Sequence, residues 1–456
     1  MTRTIISIAV GLVLAFAALC IVTAGAETPN KQAIWAEVLG PTQAKWPDVN
    51  PHVETNYLDN IPAAMDMATR SLTPIVIELR CPKLGGVPTL NKIEEVDPDA
   101  AKMMKYFIKV TLTDLWSADY RYLPFEALVD PDKMHWLVFI GADGTPLGCF
   151  GGWEDKAGDS AYIKGALAAT MTRILNHYYD TRRPNWRIDP PAPKISGNVM
   201  TARDVPSFKS WSSQYSEMAG SKCLHCHTAA SIFRQATIDA KKYNKKSDVY
   251  IFPHPDCIGL MVSRTDGITI ETVVPDSPAD KAGIKVGDVL GAANGRRLFS
   301  ENDLRAVLSE FPGKGGKLPF IVLRQDAVTV KDISLFDGWK KYEIGWRSSI
   351  ASSNIGASPA MAWALRTPDD VRAKLKIGDD KMGMSPVFGN NPNASPAYAA
   401  GLRTNHVVIA INGESPDIWG RSFLVWFRLK FDPGAKVEFT VLDEAGKKSA
   451  IKFVAK

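Results

Sequence analysis

The chain opens on a long apolar run from Ile5 to Val22 with no charge in it, with Arg3 before it and Ala24-Gly25-Ala26 and Glu27 after it. A basic residue, an apolar stretch and a small-x-small site predict a secretory signal peptide over 1–26, cleaved near Ala26. The run is nearly long enough to cross a bilayer, so an uncleaved anchor stands as the alternative. Beyond it the pattern changes. Ile61 to Leu72 carries apolar positions at helical spacing, and Pro74 to Leu79 reads as a short β-branched strand. Asp97 to Tyr106 reads as helix, Phe107 to Leu112 as strand and Trp136 to Ile140 as a third strand. The turn Gly141-Ala142-Asp143-Gly144 leads into a strand around Pro146 to Phe150, and a helix from Ser160 to Tyr179 follows. Helices between strands predict a layered α/β domain over 27–190.

From Arg183 to Pro206 periodicity fades, and Pro184, Pro190, Pro191 and Pro193 mark a linker. A short helical segment is expected from Ser207 to about Lys246, so 191–256 reads as linker plus a small helical unit. The last part of the chain repeats itself. Ser277-Pro278-Ala279, Ala282-Gly283-Ile284 and Asn294-Gly295 return at constant offset as Ser395-Pro396-Ala397, Ala400-Gly401-Leu402 and Asn412-Gly413. Repetition at this scale predicts two copies of one β-rich module, over 257–340 and 341–456. The expected architecture is therefore multidomain, α/β followed by β-rich.

Composition changes this picture little. At 456 residues and 45% hydrophobic the chain can build several cores. Net charge is +5, and the densest basic run, Lys241-Lys242-Tyr243-Asn244-Lys245-Lys246, lacks the aromatic platform of a nucleic-acid site. No nucleic-acid partner is expected, and a membrane partner only if the N-terminal run stays uncleaved. The six cysteines become five once Cys20 leaves with the signal, too few and too odd a set for a disulfide framework.

One cluster carries explicit chemistry: Cys223-Leu224-His225-Cys226-His227. Two thiols three positions apart can add to the vinyl groups on a haem edge, and the histidine directly after them then lies under the iron. Cys223 and Cys226 are assigned to the thioethers of one covalent haem c, and His227 to the proximal iron position. Export agrees, since c-type haem is attached outside the cytoplasm. Met218, His254 and Met261 are the distal candidates. A zinc site completed by His254 and Cys257 remains the competing reading.

The repeated blocks resemble PDZ domains of exported bacterial proteases. In the first copy Ile258-Gly259-Leu260, continuing to Met261, resembles the loop that binds a terminal carboxylate. In the second, Met382-Gly383-Met384 resembles it, with an insertion around Ala351 to Lys376 before it. The resemblance implies recruitment of a protein partner by its C-terminus. No Gly-Asn-Ser-Gly-Gly or similar protease nucleophile motif occurs. The N-terminal domain resembles the thioredoxin fold, with Cys81 just after the first strand. A single cysteine in Cys81-Pro82-Lys83-Leu84 leaves it without the ordinary resolving partner. Cys149 is a distant candidate partner, or a buried apolar residue. The order of parts resembles a bacterial family of thioredoxin-like/PDZ proteins, some of them selenoproteins, which implies a reactive sulfur or selenium at the position of Cys81. Together these give an expected exported redox protein: Cys81 as thiol, haem for electron transfer, PDZ modules for a partner. An oxidoreductase activity is left open. The alternatives are a non-catalytic haem sensor, a PDZ scaffold or a protease adaptor.

Overall fold

The computed structural model describes residues 29–47, 58–80, 97–133, 135–151, 165–215 and 219–456; the expected signal segment 1–26, Cys81 and Met218 lie outside the described residues. After α1 (Pro29–Leu39), α2 spans Ile61–Ser71, started by Asn60, whose side chain accepts from the Ala63 amide at 2.9 Å. Four strands follow, β1 (Ile75–Arg80), β2 (Ile108–Leu112), β3 (His135–Ile140) and β4 (Pro146–Gly151), with α3 (Pro98–Met104), α4 (Phe125–Leu128) and α5 (Ala166–Tyr178) among and after them. Their sheet order is β2-β1-β3-β4; β1 and β2 run parallel and β3 runs against both of its neighbours.

Alternation along β1 sorts two cores. Ile75, Ile77 and Leu79 face α2, through Ile61, Ala64 and Ala68. Val76, with Leu137 and Phe139 of β3, packs with Met104 of α3 and with Leu167, Met171 and Ile174 of α5. The sheet is thus covered on both faces, which is why its strands read as continuous apolar runs.

The segment expected to link domains is built into this first core. Helices α6 (Phe208–Gln214) and α7 (Cys226–Asp239) replace the expected helical stretch from Ser207 to Lys246. Trp211, Leu224, Ala229 and Ile232 are buried in the same cluster as Ile77 and Val138.

The first module holds the hairpin β5 (Leu260–Val262) and β6 (Ile270–Val273), then β7 (Val289–Ala293), β8 (Arg296–Arg297), α8 (Glu301–Glu310), β9 (Gly316–Arg324) and β10 (Ala327–Leu335). In the second, α9 (Ser348–Ala351), β11 (Trp363–Arg366), α10 (Asp369–Lys374), β12 (Met384–Val387), β13 (Val407–Ile411), α11 (Gly420–Lys430), β14 (Lys436–Leu442) and β15 (Lys448–Val454) follow in turn. Here the sheet order is β11-β12-β13-β14-β15.

This topology moves the expected loop of the second copy. In the first module β5 pairs with β6, and β6 reaches β7 through the Thr269–Val289 bridge. In the second, β11 pairs with β12, and β12 with β13 through Met384 and Val408. Met382-Gly383-Met384 therefore enters the second strand of the hairpin, not the loop before the first, and both methionines are buried. The position matching Gly259 is Ala360. Gly259 has φ 83° and its α-carbon faces Ser277; Ala360 has φ 63° and its carbonyl accepts from the hydroxyl of Ser395, the repeat partner of Ser277. The insertion is correspondingly placed: the segment Ala351 to Lys376 contains the loop and β11 themselves, and α10 stands where the first copy has a short turn.

Candidate functional site

Cys226 opens α7, with His225 at its N-cap. The strand-like approach from Ser221 is pinned to the N-terminal domain. Asp114 accepts from the Leu224 amide at 2.8 Å, Trp116 Nε1 donates to the Ser221 carbonyl at 3.0 Å, and the Leu115 amide donates to the Leu224 carbonyl at 3.3 Å. Leu224 is buried, whereas Cys223 and Cys226 are half-buried. Among the described residues no disulfide forms, so both remain thiols. Cys223 Sγ lies 3.6 Å from the Thr113 carbonyl, and Cys226 packs against the N-terminal core. The His225 and His227 rings stack, with centroids 5.6 Å apart. Burial, opposed by Asp132 and aided by His225 and Arg421, pushes His227 below the ordinary imidazole value, which leaves a neutral ring with a lone pair for a metal.

His227 lines a cavity of about 450 Å3 whose other wall is the second module. Met361, Ala362 and Trp363 come from its loop and the start of β11, and Arg421, Leu424 and Arg428 from α11. This is the space between the loop, the first hairpin strand and the helix, the position of a peptide groove. The lining includes two arginines and no carboxylate. Arg428 Nε is held on the Ala351 carbonyl at 2.8 Å and Arg421 on the Trp346 carbonyl at 2.9 Å. Met361, Arg421 and Arg428 were not legible as site residues. Only the departure of the second copy from the repeat pattern pointed to this region.

The other expected residues lie elsewhere. His254 caps the short 3-10 turn Pro255–Ile258, and Met261 lies on β5, 54% exposed. Neither lines the cavity. Among the described residues no three metal-binding side chains gather, so Cys223, Cys226, His254 and Cys257 are not brought together as a zinc cage. Cys257 is pushed up to about 12 by burial and by Asp256. Cys149 is fully buried on β4; its amide donates to Asp303 at 2.9 Å, its thiol lies 3.5 Å from the same carboxylate, and burial drives its pKa upward. That is the setting of an inert core thiol. Ile258 and Leu260 are buried in the first module's core, around the left-handed Gly259.

The first module differs from the second on its helix. Counted from the N-caps Ser300 and Trp419, Asn302, Arg305 and Ser309 stand where Arg421, Leu424 and Arg428 do. Asn302 accepts from the Gly151 amide at 3.2 Å, and Arg305 donates to the Phe252 carbonyl at 2.8 Å and reaches Asp130 at 3.3 Å. This face of α8 is docked on the N-terminal domain. β5 has β6 on one edge and, among the described residues, no strand on the other.

A PDZ domain family profile matches residues 269–314. The first module carries a PDZ domain. Similar curated proteins are the periplasmic serine endoprotease DegP of Salmonella typhimurium, 28% identical over 153 residues, and a probable DegP-like periplasmic serine endoprotease of Buchnera aphidicola, 29% identical over 153 residues. Each match takes in 34% of this chain, and 28% and 29% of those proteins. A probable periplasmic serine protease, do/HhoA-like, of Haemophilus influenzae is 28% identical over 151 residues, which is 33% of this chain and 28% of that protein. The chain thus spans less than a third of the length of these relatives. Among the described residues no helix is long and apolar enough to cross a membrane.

Proposed function

We propose that this chain is an exported redox protein that carries one haem c on Cys223 and Cys226, with His227 as iron ligand, and recruits a protein partner through its PDZ domain. The observation that carries the reading is the setting of the motif. Two half-buried thiols flank a buried anchor, with a neutral imidazole directly after them. Once attached, the haem supplies one-electron transfer. The protein's part is to fix the thiols at the start of α7 and to hold the His227 ring beside them.

The N-terminal domain supports the redox reading. A four-stranded sheet with its third strand antiparallel, and helices on both faces, is the arrangement a thioredoxin-like domain has, and Cys81 directly follows β1 as the candidate redox thiol. The periplasmic names of the relatives agree with the apolar N-terminal run and its Ala24-Gly25-Ala26 site, so the chain is assigned to the periplasm or another exported compartment. The edge of β5 carries no neighbouring strand among the described residues and is offered to an extended segment of a partner, while the α8 face that matches the groove side of α11 is taken up by the N-terminal domain. Similarity to periplasmic serine proteases over about a third of the chain, with the PDZ match at 269–314, favours a second reading, an adaptor that shares their PDZ targets.

The test is expression of the full chain with a c-type haem maturation system, followed by intact mass and optical spectra. The expected result is one covalent haem, lost when both Cys223 and Cys226 become serine. A mass equal to the haem-free chain would overturn the proposal, and tightly held zinc in its place would favour the competing site.

A further inference from the structure

We infer that the groove of the second module takes an extended, acidic segment of a partner protein, with Arg421 and Arg428 as the residues that select its carboxylate side chains. This rests on the partner-recruiting half of the reading above, to which it adds a second site and a partner chemistry. It does not depend on the haem, because neither Cys223 nor Cys226 lines this hollow.

The backbone offers a strand its place. β11 pairs with β12 on one edge and, among the described residues, with no strand on the other. Along that side runs α11, with Trp363 of β11 lying beside Gly420 at the helix start. An extended segment can add to the edge, and its alternate residues then face the helix. The loop at the end of the groove offers little to a terminal carboxylate. The Ser358 amide donates to the Lys456 carbonyl at 2.7 Å and the Ala362 amide to the Val387 carbonyl at 2.8 Å. Pro359 has no amide to donate. That leaves the amides of Ala360 and Met361.

The charge lies on the helix instead. Arg421, Leu424 and Arg428 follow at spacings of three and four, so they share one face. The two arginines stand about 10 Å apart along the axis. Every second residue of a strand advances about 7 Å, so these long side chains reach carboxylates two or four positions apart on the segment. Backbone carbonyls aim both guanidiniums: Trp346 holds Arg421 at 2.9 Å and Ala351 holds Arg428 at 2.8 Å. The lining contains no carboxylate, and burial holds Arg428 below its ordinary value, so an arriving carboxylate supplies a counter-charge. Trp363, Leu365 and Trp419 are exposed around the groove and give the apolar residues of the segment a surface.

Beyond Arg428 the surface stays basic. Lys245 Nζ caps the end of α11, donating to the Arg428 and Phe431 carbonyls, each at 3.2 Å, and to Asp432 at 2.7 Å. This anchors the run from Lys241 to Lys246 beside the groove, with Lys241, Lys242 and Lys246 exposed. Asp248 and Asp432 are the carboxylates bonded to this run.

The test is fluorescence anisotropy of short labelled peptides on the full chain, produced without haem maturation so that the outcome is independent of the haem reading. The probes alternate valine with glutamate, glutamine or lysine, each with an amidated C-terminus, and the glutamate peptide is also made with a free one. The amidated glutamate peptide should bind saturably, more weakly as salt rises, and about tenfold tighter than the glutamine peptide. Arg421→Gln and Arg428→Gln should each weaken it about tenfold. Arg421→Glu combined with Arg428→Glu should prefer the lysine peptide, a gain that misfolding would not produce. Met261→Glu, on the β5 edge of the first module, should leave binding unchanged. Binding indifferent to peptide charge or to both arginines would overturn the inference, and so would binding that requires the free C-terminus. Loss of binding in Met261→Glu but not in the arginine variants would place recruitment in the first module alone, overturning this inference and leaving the reading beneath it.

Discussion

Four buried charges join the N-terminal domain to the modules, and removing one of them gives a sharp test of how the parts are held. Arg347, fully buried, donates to Asp130 at 2.9 Å and to Asp132 at 2.6 Å, while Arg305 reaches Asp130 at 3.3 Å. Two carboxylates thus face two guanidiniums, with the Lys133 ammonium as a further positive charge acting on Asp130. In Arg347→Met, Asp130 keeps only Arg305 as a partner of this set, and Asp132 keeps the amide and hydroxyl of Ser349, each at 2.6 Å. Asp132 then loses its salt-bridge cation while its side chain stays buried. Breaking a buried pair in this way costs about 3–5 kcal/mol. Adding Asp130→Asn should cost less than the sum of the two single changes, with a coupling of about 1–3 kcal/mol. The pH dependence has a definite sign. Burial would raise the Asp130 carboxyl, but Arg347 and then Arg305 outweigh it and hold it below the usual carboxylate range. Its contribution is therefore full above about pH 4 and is lost as pH falls through the lower folded value. Urea unfolding of the full chain at several pH values measures this. Arg347→Met should lower the midpoint and flatten the loss on acidification. A change within about 0.5 kcal/mol, the range of ordinary surface substitutions, would refute the claim that these charges join the domains.

Cys149 and Cys257 should resist alkylation of the native protein at pH 8 and react once it is unfolded, because burial raises both thiols, Cys257 to about 12; mass spectrometry of peptides from native and unfolded samples decides it, and rapid native labelling of Cys149 would restore it as a redox partner. Gly259→Ala should destabilise by about 1–3 kcal/mol, since its φ is 83° and an added carbon would stand 2.1 Å from the Ser277 Cβ; an unchanged melting curve counts against the loop geometry. Ala360→Gly removes the same left-handed strain and should be neutral or stabilising by up to about 1 kcal/mol, measured in the same way. Changing Cys226 alone to serine should leave haem held through one thioether, seen as an altered absorption maximum of the reduced protein, whereas an unaltered spectrum would remove Cys226 from the attachment.

How far the sequence could be read depended on the range of each signal. The strands around Ile77, Val110 and Val138 are short apolar runs, and all were found within a residue or two. The motif from Cys223 to His227 is contiguous, so its chemistry needs no tertiary knowledge. The loop of the second module failed for a local reason. Apolar-Gly-apolar is a signature of the left-handed backbone, and here Ala360 adopts that backbone while Gly383 sits in the turn before β12. Met361 was missed because a methionine next to alanines carries no pattern of its own. The docking of Cys149 on Asp303 joins positions 154 residues apart, and nothing local in either segment announces it.

The two copies show what duplication permitted. Both modules keep the buried helix face that closes their cores: Leu304, Val307 and Leu308 in one, Phe423 and Phe427 in the other. They diverge on the outward face. Asn302 and Arg305 are spent on the N-terminal domain, and that contact needs polar groups matched to Gly151, Phe252 and Asp130. Arg421, Leu424 and Arg428 instead border open space beside His227. A groove that bound the same class of peptide in both copies would have kept one lining. The lining changed in the copy that adjoins Cys223 to His227, where Asn302 and Ser309 of the first helix give way to Arg421 and Arg428. Arg421→Asn, which puts the residue of the first copy beside His227, should therefore alter the potential of a haem held on His227 while the core of the module, built from Phe423, Phe427 and Phe439, stays folded. Far-ultraviolet circular dichroism with haem spectra on the same sample separates the two effects. An unchanged potential in a folded variant would mean that the divergence of the helix face serves something other than the haem.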